Sequence, residues 1–224
     1  MFFQKRVLVL GSAVLCMALA SHANLLQNGS FENGAFVPSE PSSMLLGVGS
    51  TTITGWEVID RGLAWDLTPH PYRLTATDGS YFLDLTGDID NAPFAGMQQT
   101  VATTIGGQYE LTFDIGSDIY YDAIGSQGPV PLIPVSIFAT AGSTSQLFTT
   151  PTPTGINEWH SFTLDFTATA ASTTITLEGQ ATENIAYIGL DNVSVELVPE
   201  PGTLALFAGS GLLALFGWRR SRKT

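Results

Sequence analysis

From residue 80 to residue 197 the chain repeatedly alternates apolar and polar side chains, the period-two signature of strands buried on one face. QYELTFDI sets Tyr109, Leu111, Phe113 and Ile115 against Gln108, Glu110, Thr112 and Asp114. SFTLDFTA repeats the pattern with Phe162, Leu164 and Phe166, TTITLEG with Ile175 and Leu177, and DNVSVEL with Val193, Val195 and Leu197. SYFLDLTG adds Leu83 and Leu85, with either Tyr81 or Phe82 on their side. Turn residues punctuate these runs at Asp78-Gly79, Gly87-Asp88, Gly106-Gly107, Gly155 with Asn157, and Gly189. Pro38–Gly49 and Gly116–Pro134 read as loops, and no amphipathic helix of ten residues interrupts the series. The pattern predicts an all-β chain folded as an antiparallel β-sandwich.

The two ends break this pattern. Lys5 and Arg6 precede the apolar run Val7–Ala20, and Ser21-His22-Ala23 follows it. That order predicts a secretory signal peptide over residues 1–23, cut after Ala23, with a mature chain from Asn24. Cys16, the single cysteine, lies inside the run with Leu15 before it, where lipidation needs a small residue. The mature chain then has no thiol, which excludes disulfides, thiol catalysis and cysteine-ligated zinc. At the other end, residues 202–218 are apolar throughout, long enough at about 1.5 Å per residue to approach a bilayer core of about 30 Å. Arg219, Arg220, Arg222 and Lys223 follow, so the run is expected to be a single transmembrane helix with a cytoplasmic basic tail at 219–224. A buried helix of the domain would show a polar face, and this run has none.

Removing both ends changes the charge picture. Residues 24–198 hold nineteen acidic side chains against Arg61 and Arg73 alone, a formal charge of −17, whereas the whole chain carries −12. Such a field makes nucleic acid and anionic lipid surfaces poor partners and leaves neutral glycans, cations and other proteins open.

Candidate chemistry is sparse. GLAWDLTPHPYR places Trp65 with Asp66, His70, Tyr72 and Arg73 in an expected loop or short strand. An exposed indole stacks on a sugar ring while neighbouring polar groups take its hydroxyls, which makes this the first candidate binding patch; Tyr120 and Tyr121 form a second. The rival reading folds both sets onto the sandwich. Trp56 and Trp159 fall inside strand motifs and read as packing residues. Asp88, Asp90 and Asn91 lack the glycine and distant Glu of an EF-hand and read as a solvated acidic loop. His70 and His160 stand without a G-x-S-x-G elbow or an H-E-x-x-H helix, so catalysis is not expected, and a glycosidase is the enzymatic rival. The Thr-rich TATAASTTIT raises ice binding as a lesser alternative.

Pro199-Glu200-Pro201, the apolar run and the terminal basic cluster together resemble a PEP-CTERM sorting signal. The resemblance implies export across the inner membrane of a Gram-negative bacterium. It also implies a C-terminal membrane anchor and processing by an exosortase near the Pro-Glu-Pro. NLLQNGSFENG, TTITGWEV, DGSYFLDLTG, QQTV, GQYELTFDIG, WHSFTLDFTATAASTTITLEG and GLDNVSVELVPEP resemble choice-of-anchor C and DUF642-like domains over nearly all of residues 24–198. That resemblance implies a galactose-binding-type jelly roll, an architecture shared with many carbohydrate-binding modules. In related jelly rolls, acidic positions matching Glu32 and Asp191 hold a structural Ca²⁺; the alternative is that both bond turn amides. The expected organisation is a signal peptide at 1–23, a β-sandwich at 24–198 and a sorting signal at 199–224. The expected function is non-enzymatic binding of extracellular polysaccharide at the cell surface or in the matrix. The rival from another class is a structural matrix protein that makes protein contacts and has no sugar site.

Overall fold

A computed structural model describes residues 23–39, 42–69, 74–87, 93–117, 133–155, 157–181 and 187–199. Residues 1–22 of the signal segment, the predicted membrane helix at 202–218, Glu200, Pro201, Arg219 and Arg220 lie outside them, as do His70, Tyr72, Arg73, Asp88, Asp90, Asn91, Tyr120 and Tyr121.

The described residues form strands β1 (Ser43–Leu46), β2 (Glu57–Ile59), β3 (Leu63–Leu67), β4 (Tyr81–Asp84), β5 (Gly96–Ala102), β6 (Gln108–Ser117), β7 (Val135–Ala141), β8 (Thr144–Thr149), β9 (Glu158–Thr167), β10 (Ser172–Ala181) and β11 (Gly189–Leu197). They assemble into a six-stranded sheet, β1-β3-β4-β11-β6-β9, and a five-stranded sheet, β2-β5-β10-β7-β8. Every pairing is antiparallel. Alternation sends Leu111, Phe113, Ile115, Leu164 and Phe166 from one sheet against Met97, Val101, Ile137, Ile175 and Leu177 from the other, and all are buried in one core.

Several local expectations change. Pro38–Gly49 is not wholly loop: Ser43–Leu46 pairs with β3. Gly189 opens β11 opposite Gly116. It is a strand glycine, because Trp159 and Leu74 crowd the space a Cβ would take. Leu197 is 39 % exposed although Val193 and Val195 are buried. Tyr81 and Phe82 both pack. Tyr81 joins the main core, and Phe82 sits on the other side of the six-stranded sheet in a small cluster with Leu74, Tyr187 and the half-buried Trp159.

The largest correction concerns Trp65 and Asp66. GLAWDL is a strand, and its alternation points Trp65 inward, where it is 1 % exposed with its ring against Phe36 and Tyr81. Asp66, also 1 % exposed, points the other way and accepts hydrogen bonds from the Ser43 and Tyr187 hydroxyls. Neither side chain reaches solvent, so neither forms an exposed stacking patch.

The N-terminal segment closes the sandwich along β11. The Asn24 side chain donates to the Val193 carbonyl and accepts from the Leu26 and Val195 amides. Leu25 donates its N–H to Val195 and Val193 donates its own to Gly29.

Candidate functional site

The alternation that buries Met97, Val101, Ile175, Leu177 and Ile137 turns Gln98, Thr100, Thr174, Thr176, Glu178, Phe138 and Thr140 to the outer face of the five-stranded sheet. Strand register sets them side by side: Gln98 pairs with Thr176 and Thr176 with Thr140, while Thr100 pairs with Thr174. The Thr100 and Thr174 hydroxyls are 2.8 Å apart, and the Gln98 Nε2 donates to Glu57 Oε2 at 2.9 Å.

Two cavities open on this face. One, of about 360 Å³, is lined by Thr51, Gly55, Trp56, Glu57, Gln98, Gln99, Thr100 and Thr174. The other, of about 430 Å³, is lined by Thr140, Gly142, Ser143, Thr167, Thr169, Ser172, Thr174 and Thr176 among others. Thr174 borders both, and we refer to the two adjoining hollows as the groove. Together their linings hold hydroxyls, the Gln98 and Gln99 amides, the Glu57 carboxylate, the Trp56 ring and the methyl groups of Ala141, Ala168 and Ala170, with no cationic side chain. Trp56 is its floor, 1 % exposed, with Nε1 donating to the Asn28 carbonyl. Its ring is therefore closed to stacking, and recognition along the groove falls to hydrogen bonds. The Gln99 amide closes one end by exchanging two bonds with the Gln27 backbone.

Glu178 stands next in line, opposite Gly96 and Phe138. Burial, followed by a hydrogen bond to Asp60 and the charge of that neighbour, raises its pKa above the ordinary carboxylate value. None of these groove residues carries a motif. The signal was the outward half of strands whose inward half announced the core.

Glu32 and Asp191 meet at the Thr77–Tyr81 turn. Asp191 Oδ2 accepts from the Thr77 amide and hydroxyl and from the Asp78 amide, and its Oδ1 accepts from Asn192 N–H. Glu32 Oε1 accepts from the Ser80 and Tyr81 amides at 2.7 Å each. The pair thus ties the first and last segments of the sandwich to one turn. Burial drives the Asp191 carboxyl up to about 7, against the lowering pull of its hydrogen-bond donors. A hard cation takes six to eight oxygens. Here three of the four carboxylate oxygens already hold amides, and no group of three His, Cys, Asp or Glu gathers among the described residues. The two carboxylates fit an amide clamp better than a calcium cage. The expected melting temperature is therefore the same in calcium and in chelator; an upward shift in calcium would mean that the metal displaces the amides.

The profile of the DUF642 family (protein of unknown function) matches residues 24–196, and that of the PEP-CTERM protein-sorting motif matches residues 197–223. Halomucin of Haloquadratum walsbyi is 30 % identical over 201 residues, which cover 87 % of this chain; the match spans 2 % of halomucin. Among solved structures, a family 61 carbohydrate-binding module in complex with β-1,4-galactotriose overlaps at 18 % identity. It covers 79 % of this chain and 99 % of its own, with a TM-score of 0.43. A family 16 module (18 % identity, 77 % and 99 % covered, TM-score 0.43) and a family 4 module (16 %, 77 % and 99 %, 0.41) overlap similarly.

Proposed function

Because the chain belongs to the DUF642 family and ends in a PEP-CTERM sorting motif, we propose that it is an exported, C-terminally sorted surface protein whose five-stranded sheet holds an extracellular polysaccharide without catalysis. The supporting observation is the groove. Its two hollows are open, adjoin at Thr174, are rich in hydroxyl and amide groups, and are free of cationic side chains in a domain of −17. A neutral glycan offers the matching hydroxyls, and an anionic one would meet repulsion. Without an open aromatic platform among the described groove residues, affinity per sugar is low, and retention comes from a chain that runs along several groups at once. Exosortase, the inner membrane before processing and the polysaccharide are the partners this reading names.

Affinity electrophoresis through gels containing soluble galactan, xylan or mixed-linkage glucan, and the polysaccharide of the producing cell, tests it. Thr174→Lys should lower retention about tenfold, equivalent to about 1.4 kcal/mol, because a long cationic chain fills the point the cavities share. Its melting temperature should stay near that of the parent, since Thr174 faces solvent. Equal migration in every gel with and without polysaccharide would remove the sugar reading in favour of protein contacts, which crosslinking to neighbours would then reveal. Unchanged reducing ends after incubation would distinguish binding from glycosidase action.

A further inference from the structure

The sequence of β8 is TSQLFT, and the strand closes one side of the five-stranded sheet, hydrogen-bonded among the described residues to β7 alone. Just past its end, Thr150 donates its N–H to the Val135 carbonyl at 2.9 Å. Alternation along an antiparallel ladder then spends the backbone groups of Thr144, Gln146 and Phe148 on β7 and directs those of Ser145, Leu147 and Thr149 to the open edge. Ser145, Gln146, Leu147 and Thr149 are all exposed, Leu147 by 52 %.

Soluble proteins blunt such edges with charges, prolines or bulges. β8 has no charge and no proline, and its register with β7 runs unbroken from Ser136↔Thr149 to Ala141↔Thr144. The charge distribution sharpens the contrast. Residues 24–198 carry −17, so two copies repel over most of their surfaces, yet the thirty-five residues Ala123–Asn157 hold no charged side chain and contain the whole β7–β8 hairpin.

We propose that β8 is a self-association edge, at which two copies of this chain pair their β8 strands antiparallel about a two-fold axis. A strand paired antiparallel with its own copy is isologous and closed, so it yields a dimer and no fibre. With the axis at Leu147, that residue exchanges both backbone hydrogen bonds with Leu147 of the second copy, and Ser145 pairs with Thr149. Phe138, opposite Leu147 across the β7–β8 ladder, is half-buried on the same face, so the seam gains an apolar strip of two Leu and two Phe side chains. The two five-stranded sheets become one of ten strands that presents both grooves on one face; that last consequence, unlike the pairing, rests on the polysaccharide reading.

A contact of six residues per copy is small, so a dimer with a Kd on the order of 10 µM is expected. Disulfide trapping reads this directly, because Cys16 is the only native cysteine. The full chain carrying Leu147→Cys, isolated from a producing cell and mildly oxidised, should run as a covalent dimer without reductant. Ile105→Cys, at a position 68 % exposed, should stay monomeric. In sedimentation at about 100 µM the parent should be dimeric and Leu147→Lys monomeric, with oligosaccharide binding by the Lys variant unchanged. Trapping at Leu147→Cys no greater than at Ile105→Cys, a cross-link to a different protein, or a monomeric parent at that concentration would overturn the pairing. Loss of glycan retention would not bear on it.

Discussion

Gly29→Ala is expected to cost about 4 kcal/mol, a large share of the 5–15 kcal/mol by which domains are typically stable. Gly29 lies where the N-terminal segment crosses β11, and a Cβ there would fall inside the Val193 carbonyl oxygen. That oxygen belongs to the backbone and accepts from the Asn24 side chain, while the Val193 N–H donates to the Gly29 carbonyl at 2.9 Å. Neither chain can yield without breaking the seam between the first segment and the last strand. Behind the seam lie Leu26, Phe31 and Trp56, all buried, so opening it exposes core. At about 2–4 °C per kcal/mol for a domain of this size, calorimetry should show a melting temperature lower by roughly 12 °C. A shift of less than about 3 °C would mean that the segment rides on β11 without being locked there.

Stability should also fall as pH rises through neutrality, and Asp191 is the cause. Its carboxyl is raised by burial to about 7 in the folded chain, from an ordinary value of 3.8. The folded state therefore holds a proton that the unfolded state releases between these values. The stabilisation is complete below the unfolded pKa and is lost as pH climbs through the folded one. At about 1.4 kcal/mol per pH unit the loss between pH 4 and pH 8 is roughly 4 kcal/mol. Urea unfolding at intervals across that range should show the decline, and Asp191→Asn, which keeps an acceptor for the Thr77 and Asp78 amides but does not titrate, should flatten it. If the variant and the parent decline in parallel, the general repulsion among nineteen acidic groups is responsible, and Asp191 is not.

The strands with strict alternation were legible because one face of each is wet and the other buried. β10 follows the pattern from Thr173 to Gly179, β9 from Phe162 to Thr167, and β6 from Gln108 to Phe113, before Asp114–Ser117 are buried on both faces. GLAWDL defeated the same reasoning, because β3 and β4 are covered on both faces: Trp65 packs in the main core and Asp66 is buried under Tyr187. With both faces covered, alternation no longer marks which side chain is free, and an aromatic beside charged residues imitates a binding loop. The groove was illegible for the opposite reason. Gln98, Thr100, Thr174, Thr176 and Thr140 come from three strands far apart in the chain, and each alone is an ordinary solvent-facing residue.

What the sequence by itself determined follows from local chemistry: the all-β character, the excess of negative charge, the lack of cysteine after residue 16, and a sorting tail set apart by its apolar run and basic end. These depend on composition and on neighbours a few residues apart. The tertiary structure alone decided which outward residues share a face, that Glu32 and Asp191 grip one turn, and that β8 is the edge strand of the described five-stranded sheet. Those are consequences of strand order, register and long-range side-chain bonds, such as the one from the Val195 N–H to Asn24 Oδ1, 171 positions apart. No local pattern encodes such pairings, because they are fixed by the burial of both sheets against each other.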